Sequence, residues 1–298
     1  MASNEIKIGH TSKGKLIICP TPLGNLGDIT KRTLEAFSQC DVVCCEDTRV
    51  TGKLLSVLGI KKSLERLDEA TLSSKAEYIA QRVLSGEIIA YASDAGMPGV
   101  SDPGQRLVDA ALEVGAVVEV LPGPTALTTA YVASGFSAQS FYFGAFFPRK
   151  EGERKRLLSQ LKSLDAVLIF YESPLRLVSA LCALKELVPY RRVAVCRELT
   201  KIHEEVVRGT IDEVLRVFVD REKQEGIKGE IVLVIEAPNE QELRADKTSA
   251  LLSAEERVSD LLNSGQYSKK DIVRILKDEF GLTRNDAYGL VHHKGQIP

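Results

Sequence analysis

Long hydrophobic runs are missing from this sequence of 298 residues. Its longest uninterrupted apolar stretches fall far short of the roughly 18 residues that a helix needs to span a bilayer. Residues 1–14 are polar and contain no hydrophobic signal region. We therefore expect a flexible tail at 1–14 on a cytoplasmic protein without a membrane-spanning segment.

A strong net charge is also lacking, because 39 basic and 41 acidic residues leave a formal charge of −2. Such a chain exerts no global attraction on nucleic acid, so any binding of RNA or DNA must come from local basic patches.

Metal-binding and redox motifs are absent from the sequence as well. The six cysteines include no C-x-x-C pair, and the four histidines fit no metal-ligand spacing. We expect free thiols packed as small apolar side chains, and no metal site.

The pattern that is present is an alternation of short apolar runs and helical segments. In residues 15–137 this alternation predicts an N-terminal α/β domain with a mostly parallel, Rossmann-like sheet. Longer connections and adjacent strands predict a second α/β domain with a mixed sheet at 138–238. A polar linker is expected at 239–253, followed at 254–298 by three short helices. That helical unit either presents a helix to nucleic acid or packs as a plain C-terminal appendage.

Two loops rich in glycine and proline follow neighbouring predicted strands. They read A-S-D-A-G-M-P-G-V-S-D-P-G at 92–104 and L-P-G-P-T-A at 121–126. Glycine lets a backbone approach a ligand closely, and ligands of α/β sheets bind at the carboxyl ends of strands. The loops therefore predict a small-molecule crevice, with Asp94 placed to hydrogen-bond a ligand. The first loop of the chain has no third glycine, which argues against a nicotinamide cofactor.

Charged residues follow several strands and are candidates for chemistry. Glu46 and Asp47 come directly after the second predicted strand, where they either face the crevice or form a solvated turn with Arg49. Arg149 and Lys150 open a basic segment that either contacts phosphates or is a solvated helix face.

Eight motifs occur in an order and spacing that resemble one known family. In the first domain they are T-P-L-G-N-L-G-D-I-T (21–30), E-D-T-R (46–49), S-D-A-G-M-P-G-V-S-D-P-G (93–104) and L-P-G-P-T-A (121–126). In the second domain they are F-P-R-K (147–150), Y-E-S-P-L-R-L (171–177), R-E-L-T-K-I-H-E-E (197–205) and K-G-E-I-V-L-V-I-E (228–236). They resemble the ribosomal RNA small subunit methyltransferase I family, of the tetrapyrrole-methylase-like superfamily, and the C-terminal helices resemble that family's helix-turn-helix extension.

The resemblance implies a homodimeric enzyme that binds S-adenosylmethionine in the cleft between its two domains. It implies 2′-O-methylation of the cytidine at position 1402 of 16S rRNA, in the 30S subunit. The cofactor contacts that it implies are Leu23, Gly24, Asp94, Met97, Thr125, Ala126, Phe170, Gly229 and Glu230. Candidate catalytic residues are Glu46 or Asp47 as proton acceptor and Arg49 beside them, and candidate RNA-binding residues are Arg149, Lys150 and Arg197.

Two other functions stay open from the sequence. The superfamily also implies methylation of a corrin-like tetrapyrrole, although the basic segment at 149–156 and the added helices favour RNA. A non-catalytic RNA-binding assembly factor is the other alternative, and the intact glycine-rich loops argue against it.

Overall fold

The computed structural model of the chain describes residues 14–102 and 104–294. The tail expected at 1–14 thus lies, apart from Gly14, outside the described residues. In the described part of the chain, no helix is long and apolar enough to cross a membrane.

The first domain is built on a five-stranded sheet in which every neighbouring pair is parallel. Its strands are β1 Lys15–Cys19, β2 Val42–Cys45, β3 Ser63–Arg66, β4 Ile88–Ala92 and β5 Val118–Val120. Their spatial order is β3-β2-β4-β1-β5. β1, β2 and β4 lie inside the sheet and are covered on both faces, which explains their continuous apolar sequences. The predicted parallel sheet is confirmed.

Helices cover both faces of this sheet. They are α1 Lys31–Gln39, α2 Thr48–Val57, α3 Glu69–Leu84 and α4 Gly104–Glu113. α1 and α2 pack on one face through Phe37 and Leu55, and α3 and α4 pack on the other through Ile79 and Leu107. Three of these helices begin at a residue whose side chain accepts a backbone N–H bond, namely Thr30, Asp47 and Asp68. Such caps fix where each helix begins after its strand.

The second domain contains a mixed five-stranded sheet, as the sequence predicts. Its strands are β6 Phe141–Phe146, β7 Val167–Glu172, β8 Arg192–Arg197, β9 Glu205–Thr210 and β10 Ile231–Ile235. Their order is β6-β7-β10-β8-β9; the β6–β7 pair is parallel and the other pairs are antiparallel. One face is covered by α6 Glu151–Leu161, α7 Leu177–Leu187 and α8 Ile211–Gln224.

The other face of the second sheet is covered by α5 Ala126–Ser134. Ala130 on this helix is fully buried against Ile169 and Val234 of the sheet. The helix falls within residues 15–137, which the sequence assigns to the first domain, but it packs on the second. It therefore connects the first sheet directly to the second one.

Three helices follow the second sheet: α9 Glu240–Ser264, α10 Lys269–Phe280 and α11 Arg284–Lys294. They enclose a core of their own, centred on Val258, Ile272 and Leu276. The structure differs from the predicted linker at 239–253, because α9 begins at Glu240 rather than at Ala254. Its start is fixed by Asn239, whose side chain accepts a bond of 2.9 Å from the Glu242 N–H.

Candidate active site

A cavity of about 490 Å³ lies between the two sheets. The first domain lines it with the loops that follow β1, β2, β4 and β5, and the second domain with the loops after β7 and β8 and the start of β10. Residues implied as cofactor contacts line it from both sides: Leu23, Asp94, Met97, Thr125, Ala126, Gly229 and Glu230. The sequence motifs therefore meet in one place.

Gly24 and Phe170, the other two implied cofactor contacts, are not among the residues that line the cavity. Phe170 is fully buried in the core of the second domain, where its ring centroid is 5.1 Å from that of Phe147. Its neighbour Tyr171 lines the cavity instead. Gly24 lies beside the cavity, against the side chain of Lys201.

Short backbone contacts join the loops of the first domain around the cavity. Thr21 and Gly96 exchange two backbone hydrogen bonds of 2.9 and 3.0 Å, which tie the loop after β1 to the loop after β4. Gly96 has a φ of +81°, and a Cβ there would lie 3.1 Å from the Leu23 side chain. Asp102 closes the same loop by accepting bonds from the N–H groups of Gly99 and Gly104. These hydrogen bonds hold the loops of the first domain together in the cavity wall.

Of the two carboxyl groups predicted as candidate proton acceptors, that of Glu46 lines the cavity. Burial, together with the negative charges of Asp102 and Asp94, raises the pKa of the Glu46 carboxyl to about 7. Burial also raises the pKa of Asp94. Because a group with such a pKa gains or loses a proton near neutral pH, Glu46 is suited to accept a proton during a reaction.

Asp47 is held differently, although it is adjacent in sequence. Its carboxylate caps α2 through the Arg49 N–H at 2.8 Å and binds the Arg49 guanidinium at 2.6 Å. The hydrogen bonds from Arg49 hold the pKa of Asp47 well below its ordinary value. Arg49 keeps most of its side chain, 85%, exposed to solvent. The pair fixes the beginning of α2 at the rim of the site.

Arg149 and Lys150 are exposed in the turn between β6 and α6. Two buried or half-buried arginines hold this turn from below. Arg154 donates to the Pro148 carbonyl at 2.7 Å, and Arg176 donates to the Phe147 carbonyl at 3.3 Å. These two hydrogen bonds stabilise the turn that carries the two cationic side chains.

Arg197, the third candidate for RNA binding, lies in an ion pair within the second domain. Its Nε is 2.6 Å from Glu205, and another guanidinium nitrogen donates to the Lys228 carbonyl at 3.3 Å. Only 19% of its side chain is exposed. This ion pair is not predictable from the sequence, because Glu205 is on the next strand and the pairing depends on the β8–β9 register.

Asp102 is a cavity residue that the predicted catalytic set leaves out. It occurs in the same glycine-rich loop as Asp94, and this position is the sequence signal that points to it. No group of three His, Cys, Asp or Glu side chains arranged for a metal ion occurs within residues 14–102 and 104–294.

Comparisons with known proteins agree with this arrangement. Residues 15–215 match the family model of tetrapyrrole (corrin/porphyrin) methylases. The chain is 37% identical over 287 residues to ribosomal RNA small subunit methyltransferase I of Bacillus subtilis (strain 168), covering 96% of this chain and 97% of that protein. The protein of the same name from Thermotoga maritima is 42% identical over 222 residues, which are 74% of this chain and 98% of the relative.

Among solved structures, the crystal structure of diphthine synthase shares the fold. It superposes with a TM-score of 0.60 at 16% identity, over 74% of this chain and 90% of that chain. The family model and the similarity to relatives over nearly the whole chain show that the protein is a methyltransferase of the tetrapyrrole methylase family, within the group of ribosomal RNA small subunit methyltransferase I proteins.

Proposed function

We propose that this methyltransferase transfers a methyl group from S-adenosylmethionine to the ribose 2′-oxygen of a cytidine in 16S rRNA. One observation carries the proposal: residues of both domains that the family resemblance implies as cofactor contacts line one cavity, and Glu46 lines it with them. The names of the relatives support the choice of small-subunit ribosomal RNA as substrate.

The residues of the cavity fit the proposed cofactor. Its volume of about 490 Å³ is within the range of small-molecule sites. Five residues with carboxyl groups line it, namely Glu46, Asp94, Asp102, Glu172 and Glu230. Neighbouring negative charge favours a cationic ligand, and S-adenosylmethionine carries a positive sulfonium.

S-adenosylmethionine supplies the electrophilic methyl group when it is bound. Leu23, Met97 and Ala126 provide apolar wall, and Asp94, Thr125 and Glu230 provide polar groups at the edges. These residues orient the reactants and exclude water. Orientation alone can contribute about 7 kcal/mol to lowering a barrier when two reactants are held in a reactive geometry.

Glu46 accepts the proton of the ribose hydroxyl in this proposal. A hydroxyl is a weak nucleophile, and a positioned base that takes its proton typically accelerates the reaction about 10²–10⁴-fold. Glu46 lines the cavity and has a pKa of about 7, whereas the carboxylate of Asp47 is bound to Arg49. We therefore assign the base to Glu46 and a supporting role to Asp47 and Arg49.

Arg149 and Lys150 contact RNA phosphates in the proposal, because both are exposed cations on a braced turn. Arg197 is expected to stabilise the second domain rather than to bind RNA. We further propose that the enzyme acts in the cytoplasm as a homodimer on the 30S subunit, as the family resemblance implies.

Transfer of radiolabelled methyl groups to three substrates tests the proposal. The substrates are 30S subunits that lack the modification, naked 16S rRNA, and uroporphyrinogen III as a tetrapyrrole. Label in RNA is the expected result. Label in the tetrapyrrole alone would assign the chain to small-molecule methylation, and cofactor binding without transfer would favour an assembly factor.

A further inference from the structure

Lys201 crosses from the second domain to the first at the edge of the cavity. It lies in the turn between β8 and β9, and its ammonium is 2.9 Å from Glu198 and 3.0 Å from Glu230. Its aliphatic stem runs over Gly24, in the loop that follows β1. A Cβ built on Gly24 would lie 2.3 Å from Cγ of Lys201 and 3.0–3.1 Å from its Cε and Cδ.

The turn that carries Lys201 is held in an uncommon conformation. Glu198 and Thr200 have φ values of +52° and +67°, in the left-handed region that non-glycine residues rarely adopt. A β-branched residue such as Thr200 is especially disfavoured there. The surrounding contacts must therefore over-determine this turn.

Glu198 supplies those contacts by binding the start of β10. Its N–H donates to the Glu230 carbonyl at 3.0 Å, and its carboxylate accepts from the Glu230 N–H at 2.9 Å. A Cβ on Gly229 would lie 2.5 Å from Cγ of Glu198. Gly229 thus leaves room for Glu198, in the same way that Gly24 leaves room for Lys201.

We propose that Lys201 is a positioning residue that joins the two halves of the cofactor site. Its stem sets the position of the loop that carries Leu23, and its ammonium holds the side chain of Glu230. Leu23 and Glu230 line the cavity from opposite domains, so one side chain contacts the segments that carry both of them. The inference rests on the proposed function, because the ligand whose binding it controls is S-adenosylmethionine.

The inference gives Gly24 a specific reason to be glycine. The three atoms nearest to a Cβ at this position all belong to Lys201. Gly24→Ala should therefore be harmful while Lys201 is present and harmless once its stem is removed. If glycine were needed instead for close approach of the cofactor, the substitution would be harmful in both backgrounds.

A double-mutant cycle tests this directly. The affinity for S-adenosylmethionine is measured by calorimetry for the wild type, Gly24→Ala, Lys201→Ala and the double variant. We expect Gly24→Ala to weaken binding by on the order of tenfold in the wild type and by less than about twofold in the Lys201→Ala background. Equal losses in both backgrounds would overturn the inference.

Two further variants separate the stem from the charge. Lys201→Met keeps the aliphatic stem, so Gly24→Ala should remain harmful beside it, while Lys201→Met itself weakens binding through loss of the contact to Glu230. Lys201→Arg keeps both the aliphatic stem and the positive charge, so it should bind S-adenosylmethionine more tightly than Lys201→Met or Lys201→Ala does. Retention of wild-type affinity by both Lys201→Met and Lys201→Ala would contradict the positioning role.

Controls distinguish a local effect from general loss of stability. Gly152→Ala places a Cβ in open space, and Lys185→Ala removes a surface ion pair with Asp212; both should bind the cofactor as the wild type does. Thermal unfolding without cofactor checks that each variant is folded. A wild type that binds no S-adenosylmethionine would overturn the proposed function, whereas normal wild-type binding with additive losses would overturn this inference alone.

Discussion

Glu46 and Asp47 are adjacent residues of the same type, yet they have different surroundings. Glu46 is enclosed by the loop after β4, which raises its pKa to about 7, while Asp47 is bound to Arg49, which lowers its pKa. The sequence predicts both as candidates and cannot choose between them. The difference arises from the direction of each side chain at the end of β2 and from a loop some 50 residues further along the chain.

Replacing Glu46 by Gln is expected to lower the rate of methyl transfer by about 10²–10⁴-fold, because the proton acceptor is lost. Binding of the cofactor should persist, since glutamine fills the same space. The matched variant Asp47→Asn should lose much less activity. Single-turnover transfer and calorimetry measure the two effects, and an equal loss in both variants would contradict the assignment of the base.

The pH dependence of the wild type follows from the same group. Below a pKa of about 7 the Glu46 carboxyl is protonated and cannot accept a proton, so the rate should fall with decreasing pH. Above that value the rate should level off. The remaining activity of Glu46→Gln should lack this transition. A wild-type rate that is constant between pH 5.5 and 8.5 would remove Glu46 from the mechanism.

Two other residues show what a sequence motif leaves open. Arg197 occurs in a motif of the family and Phe170 directly precedes one, but Phe170 points into the core and Arg197 pairs with Glu205. Alternation along a strand decides which face a side chain joins, and a shift of one residue reverses it. Tyr171 therefore lines the cavity where Phe170 was expected.

At the scale of elements, the turn between β6 and α6 carries the exposed cations. Arg149→Ala combined with Lys150→Ala is expected to weaken binding of RNA and to make its salt dependence shallower. Each lost phosphate contact reduces the slope of log affinity against log salt by about 0.7–0.9. The matched control is Arg216→Ala with Lys223→Ala, which removes two exposed cations from α8. The same change of slope in both pairs would contradict a specific RNA contact at the turn.

The start of α9 is anchored by an ion pair that is almost fully buried. Glu242 binds Arg191 through two hydrogen bonds of 2.7 and 3.0 Å, and their side chains are 2% and 0% exposed. The polar composition of 239–253 predicted a linker here. The capping signal of Asn239 followed by Glu242 at the third helical position was present in the sequence and identifies the helix start.

Removing one partner of such a pair leaves an uncompensated buried charge. Glu242→Ala should therefore destabilise the fold by about 3–5 kcal/mol. Glu240 lies two residues before Glu242 and forms an exposed ion pair with Arg244. Glu240→Ala breaks this pair and should lower the free energy of unfolding by less than about 1 kcal/mol. The midpoint of the first thermal transition measures both, and equal midpoints would show that α9 is not anchored through Glu242.

The whole molecule combines a parallel sheet and a mixed sheet around one cleft, and this architecture was predictable from the sequence. Apolar runs without alternation indicate buried parallel strands, and glycine-rich loops after them indicate the side on which a ligand binds. The position of α5 was not predictable in this way, since A-L-T-T-A-Y-V-A-S has small or apolar residues on every side and fits either domain. Its packing on the second sheet depends on contacts between segments that are distant in sequence.

The most direct test of the central claim is to locate the methyl group that the enzyme transfers to 30S subunits lacking the modification. A methyl group on a ribose 2′-oxygen protects the adjacent phosphodiester bond from alkaline cleavage. We therefore expect the label in a single alkali-resistant dinucleotide that begins with cytidine. Label on a base, on several nucleotides or outside the RNA would contradict the proposed 2′-O-methylation of one cytidine.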